Sequence, residues 1–487
     1  MQNRMLTLFF LILATAGGGT YARAKVVEDT SGSLRTLTSI ADALDSADRH
    51  PVHILYVHGM NEVGAGDSWL LRKSICTKLK LCEVTDWKNA GAEFPDEGEF
   101  APGSAPPALD YLGTPIWNNA EEWRASAPFV VHWVVHLRGH RSVLVVDEMN
   151  WWPLVLALKC RRIVANEAYL AGLNRELLQT CSQQSKQDPD GLGHFFPWIS
   201  PDEAARLAAI RPHAVLINRT MKDDLIDWGF SDVAIVVGQI GGLLRDGLRQ
   251  LMEKSASFDA NEASAPAGAN NAHGRYDWRA QLRRDNTMDQ EFIGVTHSLG
   301  AYLLFNTLNV EPAGLTGLGM TAPEAAQQTD ENSAVRYIFE RTLLCYFFAN
   351  QLELLEITNL DRASDAASGA GQSPAGAQTP TFAAPVTKFR ALVQEWVQLH
   401  ANFQAALHPN DEAARKRLQV VAWSDPNDIL TWRVSRMGGV DVVNLYVQNA
   451  VHWLWLFESP SGAHGNYAEN KAVLRVMFQN STQIRTH

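Results

Sequence analysis

The stretch Glu291-Phe-Ile-Gly-Val-Thr-His-Ser-Leu-Gly-Ala-Tyr-Leu-Leu-Phe305 decides how this chain folds. It opens on alternating and β-branched residues that read as a buried strand, passes through Thr296-His297-Ser298-Leu299-Gly300, and continues as an apolar helix from Ala301 to Leu308. A strand, a sharp turn and a helix in that order can hold the turn residue in a strained backbone conformation, its side chain pushed out above the sheet edge. Ser298 occupies that position, where its hydroxyl is offered to a base and to a carbonyl. The N-terminus of the following helix adds partial positive charge where an oxyanion would develop. Helix and strand pass close together at such a turn, so small residues are needed two positions to either side. Gly300 meets that need and Thr296 meets it in part. The bland alternative is a serine that merely caps the helix.

These residues resemble the nucleophile elbow of the α/β-hydrolase superfamily, whose pattern is G-x-S-x-G, with Thr296 in place of the first glycine. The resemblance implies an α/β fold with a mainly parallel central sheet flanked by helices. It also implies the chain order Ser, then Asp or Glu, then His for the catalytic groups. Upstream, Val52-His-Ile-Leu-Tyr-Val57 is an apolar strand that runs into His58-Gly59-Met60-Asn61. A strand ending in His-Gly early in the chain is similar to the family's oxyanion loop. By that likeness the backbone N–H groups of Met60 and Leu299 would bind the tetrahedral oxygen.

A serine nucleophile needs an imidazole to take its proton, and the imidazole needs a carboxylate to hold its tautomer. Leu418-Gln-Val-Val-Ala-Trp423 reads as a late strand that runs into Ser424-Asp425-Pro426-Asn427-Asp428-Ile429-Leu430. Asp428, followed by two apolar residues, matches the family's acid, and Asp425 before Pro426 is the alternative with a ready role as turn initiator. Val440 to Val447 is the next strand, and beyond it Ala463-His464-Gly465-Asn466-Tyr467 is similar to the family's histidine loop. His464 is therefore the expected base. His452, inside the aromatic run Val451-His-Trp-Leu-Trp-Leu-Phe457, is the alternative, and that run either lines an acyl site or packs as core or lid.

Elsewhere the pattern is uneven. Residues 25 to 50 are polar and read as an edge segment or arm. Asp67-Ser68 can cap a helix over Trp69 to Leu81, with Leu70, Leu71, Ile75 and Leu79 on its apolar face and Arg72, Lys73 and Lys78 toward water. Residues 84–128 lose periodicity and read as a long loop or insertion. Phe129 to Val135 and Ser142 to Val146 read as strands, with Asp147 and Glu148 at the end of the second, either facing the site or, as acids closing a strand more often do, serving as turn or rim residues. Trp151 to Glu253 reads mainly helical, with a capping box at Ser200-Pro201-Asp202-Glu203, and residues 150–230 form a cap-like insertion. Leu243, Leu244, Leu248 and Leu251 share a face opposed by Arg245, Asp246, Arg249 and Gln250. Residues 255–273 and 362–385 are low-complexity insertions. The run Leu343 to Phe348 is a strand, and Lys388 to Leu407 a helix.

The 487 residues, 46% hydrophobic, suffice for a large core. Arg4, the apolar run Met5 to Ala16 and Ala22-Arg23-Ala24 fit a secretory signal over residues 1–24 with cleavage before Lys25, the alternative being an N-terminal anchor. Cleavage would take the formal charge from −11 to −13, because Arg4 and Arg23 leave and no acid does. Such acidity disfavours nucleic acid and anionic membrane surfaces as partners. Export permits disulfides among five cysteines, with Cys76 and Cys82 the closest pair, Cys160 and Cys181 a second, and Cys345 odd. No zinc-ligand spacing occurs, and no metal or organic cofactor is expected. The expectation is an exported serine hydrolase acting on a small-molecule or lipid carboxylic ester, with transient contact to a lipid interface. Thioesterase, acyltransferase and peptidase use the same three groups, and a non-catalytic binding protein of this fold stands as a different class.

Overall fold

The computed structural model describes residues 27–28, 37–47, 50–60, 66–83, 91–97, 110–111, 114–164, 175–182, 196–209, 229–238, 240–260, 277–279, 289–309, 322–356, 389–449 and 460–479. The expected signal segment, most of the three insertions over residues 150–230, 255–273 and 362–385, and His452 with its aromatic run lie outside them.

The strands are β1 (Val27–Glu28), β2 (Val52–Val57), β3 (Gly91–Glu97), β4 (Asp110–Tyr111), β5 (Thr114–Pro115), β6 (Phe129–Val135), β7 (Leu144–Asn150), β8 (Glu291–His297), β9 (Thr342–Phe348), β10 (Leu418–Ser424) and β11 (Val440–Tyr446). Nine of them form one sheet in the order β1-β11-β10-β9-β8-β2-β7-β6-β3, while β4 and β5 pair separately. The six strands from β11 to β7 run parallel. β6, β3 and β1 add antiparallel edges. The parallel strands are short apolar runs, fully buried in β2, β7 and β9, as a sheet covered on both faces requires. Fold class is thus α/β with a mainly parallel sheet flanked by helices.

Side chains alternate along a strand, so Asp147 and Glu148 on β7 point to opposite faces. Glu148 meets the start of the helix Trp69–Thr77, and Asp147 lies beside His132, which stacks on Phe258 at the end of the helix Gly241–Ser257. The first face carries Trp69–Thr77. The second carries Gly241–Ser257, which packs on Ala322–Arg341 and on the elbow helix Gly300–Asn306; Phe389–Leu407 packs against the last two. The core between these helices and the sheet is aromatic, with Phe305 in ring contact with Phe339, Phe347, Phe389 and Trp396.

Four expectations are corrected. Residues 91–97, read as part of an irregular loop, form an edge strand; with no β-branched residue they carry little strand signal, and pairing along β6 supplies the structure. Asp147 and Glu148 are neither turn nor rim, because β7 continues to Asn150 and both carboxylates are fully buried. Arg72 does not face water: it is buried, its guanidinium 3.4 Å from the Trp133 ring centre and its Nε bonded to the Ser68 hydroxyl at 3.0 Å. Arg245 and Arg249 are buried as well, on the side of the helix expected to be solvated. Arg72, Arg249, Asp147 and Glu148 have found partners remote in sequence, which periodicity cannot register, while Arg245 bonds its neighbour Asp246.

Candidate active site

Strand order reverses around β2. The chain passes from β2 to β7 on one side, then returns to β8 on the other side of β2 and continues outward through β9, β10 and β11. In open parallel sheets the carboxyl ends of the two strands flanking such a reversal leave a crevice. His58 and Gly59 stand at the end of β2, and Ser298 at the end of β8.

Ser298 has φ of +53°, a left-handed conformation that costs a non-glycine residue free energy and turns the chain from strand into helix. Its N–H donates to the Phe348 carbonyl at 2.8 Å, which ties the turn to β9. Leu299 follows at φ −66° and opens the elbow helix. A Cβ on Gly300 would overlap the Val57 carbonyl oxygen, and one on Gly59 would sit 2.7 Å from the Ser298 Cβ. Both glycines are therefore required by close approach, and they bring the β2 loop against the serine.

Thr296 fits because it still belongs to the strand, in register between Val57 and Phe347 and fully buried. The room for the elbow helix comes two residues earlier and on the same face. A Cβ on Gly294 would lie 2.8 Å from the Cys345 Sγ and 3.1 Å from Leu304. That glycine was not singled out in the sequence; its spacing from Ser298 differs from the motif.

Asp428 and His464 come together. Nδ1 of His464 is 2.9 Å and 3.0 Å from the two Asp428 oxygens, and the carboxylate side chain is 1% exposed. Asp428 Oδ1 also accepts from the Leu430 N–H at 2.9 Å. Asp425 is engaged elsewhere: it accepts from the Asn427 N–H at 3.0 Å and the Asn449 N–H at 2.6 Å, a turn and a loop tie. Asn449 in turn donates to the Ala463 carbonyl at 3.0 Å, so the acid loop and the turn carrying His464 are laced together. Tyr467, buried and stacked on Phe348 at 5.7 Å, accepts the Asp425 N–H at 2.7 Å. Its burial, with Asp428 nearby, pushes the phenol well above its ordinary range.

His464 reaches the elbow through its backbone. His297 Nε2 donates to the His464 carbonyl oxygen at 2.7 Å, and the two rings meet edge to face at 4.8 Å. The Ser298 hydroxyl is buried and makes no hydrogen bond among the described residues. His58 ends the neighbouring strand with its ring stacked on Trp151 at 4.8 Å, while the Trp151 indole donates to the His58 carbonyl at 3.2 Å. Burial drives the His58 imidazole down to about 3, so it is neutral and structural. Met60 follows, partly buried against the core.

Glu148 organises the start of the helix Trp69–Thr77. Its carboxylate accepts from the N–H groups of Gly66, Asp67 and Ser68 at 2.5, 3.0 and 3.1 Å and from the Ser68 hydroxyl at 2.6 Å. An acid in a nest of helix N-terminal amides is what the helix dipole favours. Among the described residues no group of three or more His, Cys, Asp or Glu is arranged to hold a metal ion.

Comparison of the chain with protein-family models, with curated proteins and with solved structures finds no match.

Proposed function

We propose that this protein is a serine hydrolase of the α/β-hydrolase fold that cleaves carboxylic esters through an acyl-enzyme on Ser298. The observation that carries the reading is the Asp428–His464 pair, with His464 bonded through its backbone to the residue before a left-handed Ser298. The three groups also follow one another in the chain at separations of 130 and 36 residues in the order Ser, Asp, His, which supports the reading.

In this reading His464 takes the Ser298 proton through Nε2 while Oγ attacks the ester carbonyl. Asp428 holds the Nδ1–H tautomer and stabilises the imidazolium. The tetrahedral oxygen is received by the N–H groups of Met60 and Leu299, the second being at the positive end of the elbow helix. His464 then gives its proton to the departing alkoxide, the acyl group stays on Oγ, and water activated by His464 releases the acid. The Ser298 hydroxyl has no hydrogen-bond partner among the described residues, and in this reading its bond to His464 Nε2 forms with substrate bound. The substrate is a small-molecule or lipid ester, and the same groups serve thioester, acyl-transfer or peptide chemistry. Export is supported by the signal-like N-terminus and by two disulfides, Cys76–Cys82 and Cys160–Cys181, with Cys345 free and buried.

The test is fluorophosphonate labelling of residues 25–487, beside Ser298→Ala, with p-nitrophenyl, thioester and peptide substrates of graded chain length. Ser298→Ala should abolish labelling and lower kcat by about 10⁴-fold or more. A folded wild-type protein that neither labels nor turns over any of the three classes would leave a binding protein.

A further inference from the structure

We propose that His297 is a positioning residue: its Nε2–H, bonded to the His464 carbonyl oxygen, fixes the base to the elbow that carries Ser298. The inference rests on reading Ser298 and His464 as nucleophile and base. Two tethers then hold His464. Asp428 holds the ring through Nδ1 at 2.9 Å, and His297 holds the backbone at 2.7 Å. Asn449, which donates to the Ala463 carbonyl and accepts from Asn466, lies beyond β11 and is itself bonded to Asp425, so these ties run toward the acid loop and not to the elbow. His297 is adjacent to Ser298, whose own N–H is locked to β9, so the elbow is a fixed point and His297 relays it to the base.

The chemistry of the bond defines the ring. A carbonyl only accepts, so Nε2 carries the hydrogen and Nδ1 is the bare nitrogen of a neutral imidazole. That nitrogen faces Gly59, where a Cβ would stand 2.9 Å away. Burial, reinforced by His464, holds the His297 imidazole down at about 4. It is therefore neutral while His464 gains and loses its proton. A second cation with ring centres 4.8 Å apart would oppose formation of the imidazolium.

His297→Phe keeps the ring volume and removes the donor, whereas His297→Gln restores an amide donor. Each is to be compared with wild type by ester kcat and KM, fluorophosphonate labelling rate, thermal unfolding, and hydrogen exchange over residues 460–465. His297→Phe should fold, lose about 10- to 100-fold in kcat and in labelling rate, and leave KM within about twofold, as a misplaced base does. Exchange in 460–465 should accelerate, and His297→Gln should recover most of both effects. Wild-type kcat and exchange in His297→Phe would overturn the proposal, and so would equal impairment of the two variants, which would make the ring and not the donor the relevant feature. If folded wild type does not label, the hydrolase reading falls and the positioning role with it; unaltered exchange with normal labelling overturns the tether alone.

Discussion

Asp425 and Asp428 are the same side chain three residues apart, and their hydrogen bonds separate them. Both Asp428 oxygens face the imidazole of His464, whereas those of Asp425 close a turn onto Asn427 and hold the Asn449 backbone. Asp428→Asn should leave the fold intact and lower kcat by about 10³- to 10⁴-fold, because an amide cannot fix the productive tautomer. Asp425→Asn should instead cost about 1–3 kcal/mol of stability, since buried amide donors lose a charged acceptor, with kcat changed by less than about tenfold. Steady-state kinetics beside urea unfolding would check both. Comparable loss of turnover from the two would overturn the choice of acid.

At the scale of elements, the elbow helix Gly300–Asn306 is short, and its last carbonyls need partners. The N–H groups of Thr307, Leu308 and Asn309 donate to those of Leu304, Phe305 and Asn306, and Arg249 on the helix Gly241–Ser257 holds the chain as it leaves, donating from Nε to the Thr307 carbonyl at 2.9 Å and from Nη2 to the Asn309 carbonyl. Burial lowers this guanidinium to about 10, still charged at neutral pH, and Asp246 beside it works in the opposite direction. A cation at a helix C-terminus is also favoured by the dipole. Arg249→Met should therefore keep the apolar packing and lose about 2–3 kcal/mol, measured by denaturant midpoint. Because the same helix supports Ser298, labelling of the serine should slow in parallel. Glu148 does the corresponding work with an anion at the start of the helix Trp69–Thr77.

The molecule as a whole depends on one further buried cluster. Asp147 on β7 accepts from His53 on β2 at 2.8 Å and from His132 on β6 at 2.6 Å, and the Nε2 atoms of both rings are buried without a hydrogen bond among the described residues. Burial alone would raise the Asp147 carboxyl, but the two histidines outweigh it and leave it at about 2. A carboxylate depressed on folding contributes stability that is fully present above its unfolded value near 3.9 and is lost as pH falls toward 2. Asp147→Asn should thus unfold about 3–5 kcal/mol more easily at neutral pH. The advantage of wild type should narrow by about 2 kcal/mol between pH 4 and pH 2, as followed by thermal melts. Much of this architecture was legible in the residues. Short apolar runs set β2, β8, β9, β10 and β11, and the steric demand for a small residue after Ser298 marked the elbow, because both are consequences of local spacing. The carboxylate and imidazole were legible as residue types placed after late strands. What the sequence left open was decided by partners far along the chain. His297 meets a carbonyl 167 residues away, Asn449 and Tyr467 converge on Asp425, and Arg249 meets the Thr307 carbonyl 58 residues on. Burial of Glu148 and Asp147 likewise followed from hydrogen-bond partners that only the folded sheet brings near, and burial of Arg72 from the Trp133 ring on β6. The sequence by itself therefore determined the parallel strands and the strand–turn–helix at Ser298, which follow from periodicity and steric fit within a few residues, while Asp428 and His464 were marked by the family resemblance. Tertiary structure alone decided which carboxylate faces His464 and what holds His464 in place, because a polar group can be buried only where a distant partner completes its hydrogen bonds.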